Sequence, residues 1–165
     1  MLTAMLVCEG DPAPLVPTFA ALVPASVAGL VADVLVAHRE PDAIRAVCEP
    51  AGAIPVAPSG AIDALGGCRG DWLLLLEAGA RPIGEWVPTV AAHIAQPGAR
   101  NGRFEVSGHG EPFWRRLFGR AHRPLRAGFL MERGAAISAL RTTTPARLPV
   151  GRAVVTLPAR LAPAP

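Results

Sequence analysis

The residues best placed to do chemistry lie in the stretch GDWLLLLEAGARPIGEW, where an apolar run ends on a carboxylate. The four leucines 73–76 are too few for a solitary helix and too apolar for a half-exposed strand, so they predict a strand buried on both faces. In open α/β sheets, ligands collect beyond the carboxyl ends of the strands. Glu77, Ala78 and Gly79 therefore stand where a binding site is expected. The simpler alternative is that Glu77 solvates a strand end and Gly79 supplies a turn with positive φ.

The elements that must position this strand end come earlier in the chain. Apolar, partly β-branched runs predict strands over residues 2–7, 31–37, 53–57 and 72–76. Apolar residues at helical spacing predict a helix over residues 15–30, which Pro24 should kink or split. Asp42 as an N-cap and Gly52 as a stop predict a helix over residues 43–50, and further helices are predicted over residues 61–68 and 85–94. Strands that alternate with helices imply β-α-β units. The predicted fold class is an α/β three-layer sandwich with a mostly parallel central sheet.

The second half of the chain has a different sequence pattern. The predicted elements after residue 96 are an edge strand at 103–106, an aromatic and basic helix at 111–118, a strand at 125–131, a helix through Leu140 and a final strand at 153–157. The total of 165 residues suits one domain with a substantial core.

Charge is unevenly distributed along the chain. Residues 1–99 hold four arginines and ten acidic residues, a balance of −6, whereas residues 100–165 hold twelve arginines and three acidic residues, a balance of +9. This pattern favours a polyanion, an anionic membrane surface or attraction between the two halves. We expect no nucleic-acid partner, and the pattern leaves the oligomeric state open.

The lack of a recognisable targeting signal and the pattern of cysteines predict a reducing compartment. No apolar run reaches the roughly 18 residues of a membrane span, and the start of the chain lacks the basic region of a signal peptide. Cys8, Cys48 and Cys68 are odd in number and far apart, which argues against a disulfide framework and a compact zinc site and predicts buried thiols. We expect a cytoplasmic protein, with peripheral attachment at the inner face of the membrane as an extension.

The order of these elements up to Trp86 resembles the nucleotide-sugar-binding half of family 2 glycosyltransferases, which have the GT-A fold. The resemblance covers about residues 2–95, and Pro82 and Trp86 continue past the strand end as in many relatives. It implies a single GT-A-like, Rossmann-like domain over residues 1–165. Residues 1–95 would bind the nucleotide sugar, and residues 96–165 would form an Arg-rich acceptor-side or cover half.

In that family the fourth strand ends in an Asp-x-Asp-like triplet that holds a divalent metal on the sugar-nucleotide diphosphate. The corresponding triplet here is Glu77-Ala78-Gly79. Glu77 can offer oxygen ligands to Mg²⁺ or Mn²⁺, whereas Gly79 cannot. The resemblance therefore implies a degenerate metal motif with Glu77 as the metal ligand.

The resemblance also implies the remaining site residues. The nucleotide-sugar-binding residues would be Glu9, Asp11, His38, Arg39, Glu40, Asp63, Ala78, Gly79 and Arg81. The catalytic base of the family lies in its second half, and Glu111 is the candidate because aromatic residues and arginines follow it. The simpler reading of that stretch is an amphipathic cover helix with solvated arginines.

Three functions stay open at this point. The first is a glycosyltransferase using a UDP- or GDP-sugar, in which an acceptor hydroxyl attacks in line while a metal and arginines stabilise the leaving diphosphate. The second is a catalytically inactive GT-A-like binding or interaction module. The third is a nucleotidyltransferase, against which the absence of a Gly-rich loop after the first strand counts. Fold analogy alone cannot decide among them.

Overall fold

The computed structural model describes residues 1–107, 124–147 and 154–164. Its helices are α1 (Leu15–Val27), α2 (Arg45–Cys48), α3 (Ala61–Gly66), α4 (Trp86–Ile94) and α5 (Arg133–Leu140). Its strands are β1 (Leu2–Val7), β2 (Val31–Ala37), β3 (Ile54–Val56), β4 (Trp72–Glu77), β5 (Arg81–Ile83), β6 (Gly102–Val106), β7 (Phe129–Glu132) and β8 (Val155–Ala162).

The strands form one sheet in the order β3-β2-β1-β4-β7-β6-β8-β5. Strand β1 runs parallel to β2 and β4, and β2 runs parallel to β3. Strand β7 is antiparallel to both β4 and β6, and β5 is antiparallel to β8, whereas β6 and β8 are parallel. The predicted α/β fold with a mostly parallel sheet is confirmed.

Strand β4 lies in the middle of this sheet and is buried on both faces. The four leucines 73–76 are at most 1% exposed. Leu74 and Leu76 pack in a core cluster with α1 and α4, whereas Leu73 and Leu75 pack in a second cluster with α3 and α5. Burying each leucine stabilises the fold by about 1.5–3 kcal/mol. The predicted three layers and the central position of the leucine strand are confirmed.

Two predicted helices differ in the structure. Helix α1 is neither split nor ended by Pro24, which lies inside it on the exposed side. The carbonyl group that lacks a partner at this proline belongs to Ala20, which is also exposed, so water can hydrate it. The segment predicted as a helix at 43–50 consists of two 3₁₀ turns around the single α-helical turn of α2.

The second half contains most of the wrong predictions. The segment 103–106 is not an edge strand, because β6 lies between β7 and β8. The final strand is longer than predicted and continues through Pro158, near the point where its register with β6 shifts and a missing N–H is tolerated. Only the end of the segment 125–131 is a strand, since Gly128 has φ 57° and follows a 3₁₀ turn. The predicted helix at 111–118 lies outside the described residues.

The burial of the cysteines fits this core. Cys8 and Cys48 are buried, as predicted, and Cys68 is half-buried. Within residues 1–107, 124–147 and 154–164, no helix is long and apolar enough to cross a membrane.

Candidate functional site

The carboxyl ends of β1, β2 and β4 border an open cleft made of two adjoining cavities. The cavities measure about 420 and 470 Å³. They share the lining residues Val7, Cys8, Glu9, Ala146 and Arg147. The sheet therefore has an open depression at the edge where ligands of open α/β sheets bind.

The two cavities differ in charge. The first is lined by the carboxylates of Glu9, Asp11 and Glu77. The second is lined by His38, Arg39 and Glu9. Arg147 borders both cavities, because the 3₁₀ turn Pro145–Arg147 lies over the strand ends. The cleft thus has an acidic side, a basic side and one arginine between them.

The turn after β4 fixes the position of Glu77. The register of the parallel pair sets Glu77 opposite Val7, and the Ala78 N–H donates to the Val7 carbonyl at 2.9 Å. The Ala80 N–H donates to the Glu77 carbonyl at 3.0 Å, and Gly79 between them has φ 95°. This positive φ at Gly79 is the one that the simpler alternative, a turn after a solvated strand end, expected, and few other residues adopt that conformation.

A hydroxyl group of α1 forms a hydrogen bond with this turn. The buried Gly79 N–H donates to Thr18 Oγ1 at 2.8 Å, and the Thr18 hydroxyl lies 3.3 Å from the Pro14 carbonyl that accepts from it. Thr18 is fully buried in a helix whose other inward residues are apolar. Sequence reasoning missed Thr18, although a polar residue on the buried face of an apolar helix is itself a signal.

The loop after β1 is held by its own polar groups. The Ala13 N–H donates to Asp11 Oδ1 at 2.9 Å, so this carboxylate closes a turn just before α1. The Cys8 thiol donates to the carbonyls of Gly10 and Asp11, at 3.6 and 3.5 Å. Burial raises the pKa of Cys8, and the nearby charge of Asp11 also raises this pKa against the lowering effect of the Gly10 hydrogen bond. Cys8 is therefore a neutral part of the cleft floor and a poor nucleophile.

His38 connects the loops after β1 and β2. Its Nε2 lies 3.2 Å from the Gly10 carbonyl, and its Nδ1 lies 3.0 Å from the Glu40 N–H and 2.9 Å from the Glu40 carbonyl. In the tautomer with the proton on Nε2, His38 donates to Gly10 and accepts from Glu40. The ring thereby ties two loops together at the rim of the cleft.

The structure brings together some of the residues predicted for the site. Those that line the cleft are Glu9, Asp11, His38, Arg39, Glu77 and Ala78. Gly79 and Arg81 line another cavity, of about 240 Å³. Arg81 is the first residue of strand β5, and this strand leads away from the cleft. Asp63 is exposed on α3, and Glu40 contributes backbone contacts to His38. Glu111 lies outside the described residues.

In the part of the chain that the structure describes, the acidic side contains no preformed metal site. Among the described residues, no three His, Cys, Asp or Glu side chains are grouped closely enough to hold a metal ion. Magnesium and manganese ions are often bound by one or two carboxylates together with the phosphates of a substrate. Glu77 fits that arrangement, in which the phosphates of the ligand would supply the other oxygens.

The solved structures with a similar arrangement of strands and helices include two glycosyltransferases. Mannosyl-3-phosphoglycerate synthase from Rubrobacter xylanophilus superposes with a TM-score of 0.58 at 19% identity, over 81% of this chain and 54% of that one. Glucosyl-3-phosphoglycerate synthase from Mycobacterium tuberculosis with Mn²⁺, UDP and phosphoglyceric acid gives 0.55 at 18% identity, over 81% and 56%. This chain has a GT-A-like fold.

The likeness is one of fold, since the identities are low. The chain spans slightly more than half the length of these glycosyltransferases. No family model matches the sequence, and no curated protein matches it. The expected GT-A-like architecture is confirmed, and membership of family 2 stays a prediction.

Proposed function

We propose that the chain binds a nucleotide sugar in the cleft at the carboxyl ends of β1, β2 and β4, and that it takes part in transferring the sugar to an acceptor. The observation that carries this proposal is the position of Glu77, on a rigid turn at the end of the central strand of a GT-A-like fold. Solved neighbours that contain Mn²⁺ with UDP or UDP-glucose support the class of ligand. The acceptor is unidentified.

The charges of the cleft suggest how the ligand would lie. Arg39 and Arg147 present guanidinium groups that suit bidentate contacts with phosphate oxygens. Glu77 would face the diphosphate through a divalent ion, which supplies charge neutralisation when bound. Glu9 and Asp11, on the acidic side, would accept hydrogen bonds from hydroxyl groups of the sugar or ribose.

The chemistry expected of such a site is displacement at the anomeric carbon. An acceptor hydroxyl attacks that carbon while its bond to the diphosphate breaks, and the negative charge develops on the diphosphate. Arg147 would stabilise this charge, because it borders both cavities. Glu111 as the base that takes the acceptor proton stays a prediction, because it lies outside the described residues.

Calorimetric titration of UDP with and without Mn²⁺ tests the proposal. Glu77→Gln keeps the size of the side chain and removes its charge, so we expect metal-dependent UDP binding to weaken by at least about tenfold. Without Mn²⁺ the variant should bind UDP at least as well as the wild type, because a negative charge that faces the diphosphate has been removed. Titration of GDP in parallel determines which nucleotide the cleft prefers.

Asp63→Asn is the matched control, because it also neutralises one acidic residue. Asp63 is exposed on α3 and does not line the cleft. We expect it to leave UDP binding unchanged. Identical titration curves for the wild type and Glu77→Gln in the presence of Mn²⁺ would refute the role of Glu77, and an equal loss in both variants would show a nonspecific effect of charge.

A further inference from the structure

A buried hydroxyl group bonds to the turn that follows Glu77. Thr18 is fully buried, and in the part of the chain that the structure describes only Thr3 is another buried polar residue. A hydroxyl that is removed from water needs hydrogen-bond partners within the protein. The Thr18 hydroxyl has two, since it donates to the Pro14 carbonyl at 3.3 Å and accepts from the Gly79 N–H at 2.8 Å.

The bond to Pro14 prepares the bond to Gly79. Pro14 lies four residues before Thr18, which is the spacing at which a threonine in a helix donates to a carbonyl of the preceding turn. Because the hydroxyl proton is used in this bond, the oxygen is left as an acceptor. Thr18 is thus held in place to receive the Gly79 N–H.

Three successive N–H groups fix the backbone after Glu77. The Ala78 N–H donates to a carbonyl of β1, and the Ala80 N–H donates back to the Glu77 carbonyl. The Gly79 N–H between them donates to Thr18. Of these three acceptors Thr18 alone is a side chain, so its hydroxyl is the one that a substitution can remove.

The hydroxyl matters because a glycine does not hold a turn by itself. Gly79 has φ 95°, and glycine adopts many other backbone conformations at little cost. Without Thr18 the turn can relax toward them, and Glu77, the last residue of β4, then changes its orientation. A divalent ion tolerates such a change poorly, because Mg²⁺ requires a near-ideal arrangement of its oxygen ligands.

The same hydroxyl also contacts the loop after β1. Pro14 lies at the end of this loop and lines the first cavity, as do Asp11 and Glu77. Thr18 therefore joins two segments that border the cavity, although it does not line the cavity itself. Any effect of Thr18 on a ligand has to pass through these two segments.

We propose that Thr18 is a positioning residue, which holds Glu77 in the orientation that a divalent ion and a diphosphate require. This role rests on the proposed function. A hydroxyl that only stabilised the fold would have no selective effect on metal-dependent binding, whereas a positioning residue acts through Glu77 and the ion.

Calorimetric titration of UDP into Thr18→Val, with and without Mn²⁺, tests the proposal. Valine has the shape of threonine without the hydroxyl, so we expect UDP binding with Mn²⁺ to weaken by at least about fivefold. Without Mn²⁺ the variant should bind UDP within about twofold of the wild type. Thr18→Ser keeps the hydroxyl and should restore binding with Mn²⁺ to within about twofold of the wild type.

A double-mutant cycle with Glu77→Gln identifies the path of the effect. Once the carboxylate is removed its orientation no longer matters, so adding Thr18→Val to Glu77→Gln should weaken binding with Mn²⁺ by less than about twofold. A general loosening of the cleft would instead make the two losses multiply.

Thr3→Val is the matched control, because it also removes the hydroxyl of a buried threonine. Thr3 lies near the start of β1, opposite Leu73, whereas the cleft lies at the other end of these strands. This variant should bind UDP like the wild type with Mn²⁺. Circular dichroism checks that each variant folds. If Thr18→Val unfolds, Thr18→Ala is compared with Thr18→Ser, which differs from it by the hydroxyl alone.

A Thr18→Val variant that binds UDP like the wild type with Mn²⁺, while Glu77→Gln does not, overturns the proposal and leaves the proposed function intact. An equal loss with and without Mn²⁺, losses that multiply in the double variant, or a loss of the same size in Thr3→Val also overturn it. If the wild type shows no Mn²⁺-dependent binding of UDP, the proposed function fails and the role of Thr18 fails with it.

Discussion

Replacing Gly70 by alanine adds one methyl group. We expect this change to destabilise the protein more than adding a methyl group at a surface position would. Gly70 lies just before β4, against the backbone of β1. A Cβ atom at this position would lie 2.4 Å from the Leu2 carbonyl carbon and 2.5 Å from the Thr3 nitrogen. These are backbone atoms, so no side-chain rotation relieves the overlap. Strand β1 also pairs on both sides, with β2 and β4, and cannot shift without changing a register.

The cost follows from the nature of this overlap. Overpacking a core costs about 1–3 kcal/mol, and a clash with the backbone of a central strand belongs at the upper end of that range. For a domain of this size 1 kcal/mol corresponds to about 2–4 °C in Tm, so Gly70→Ala should lower Tm by about 6–12 °C. The change should be measured by thermal and urea unfolding monitored by circular dichroism.

Gly134→Ala is the matched control for this prediction. Gly134 is exposed in α5, has no positive φ, and an added Cβ would meet no atom within 4 Å. Alanine is favoured over glycine in a helix by about 0.5–1 kcal/mol, so this variant should be slightly more stable than the wild type. The reasoning would be refuted by a Gly70→Ala variant that melts within about 2 °C of the wild type.

Two further predictions concern the turn below Glu77 and the thiols. Thr18→Val removes the buried partner of the Gly79 N–H and should cost about 1–3 kcal/mol in urea unfolding, whereas Thr18→Ser keeps the hydroxyl and should recover most of that loss; equal stability of the two variants would contradict this. Burial raises the pKa of Cys8, Cys48 and Cys68, so the unfolded chain loses its thiol protons first as pH rises. The free energy of unfolding should therefore fall with pH above about 8.5, and the fall should be smaller in Cys8→Ala; a slope that this variant leaves unchanged would contradict the assignment.

The first half of the fold could be predicted because each of its strands carries a local signal. The runs at 2–7 and 31–37 match β1 and β2, and the leucine run matches β4 apart from its last residue. These runs are apolar, short and bounded by turn residues, so their burial requires a sheet covered on both faces. Parallel strands then bring their carboxyl ends to one edge, which is why Glu9, His38 and Glu77 meet in one cleft.

Some elements could not be predicted, because their structure depends on pairing between distant segments. Strand β5 has three residues, Arg81–Ile83, and exists through its antiparallel pairing with β8. No local pattern in the sequence indicates such a partner. Arg81 was therefore predicted to lie at the rim of the cleft and not in a strand. Arg147 was missed for the same reason, since the turn Pro145–Arg147 reaches the cleft only through the course of the chain after β7.

Helix α1 joins the features that matter most for function. Its inner face carries Thr18, which holds the turn after Glu77, and Pro14 before its first residue lines the cleft. Its outer face is uncharged, with Val23 and Val27 exposed. A helix that supports a site on one face must be apolar there, but nothing in that role requires the other face to lack charge. Solvated charges on the outer face would have been compatible with the fold, so the support of the site accounts for the inner face of α1 only.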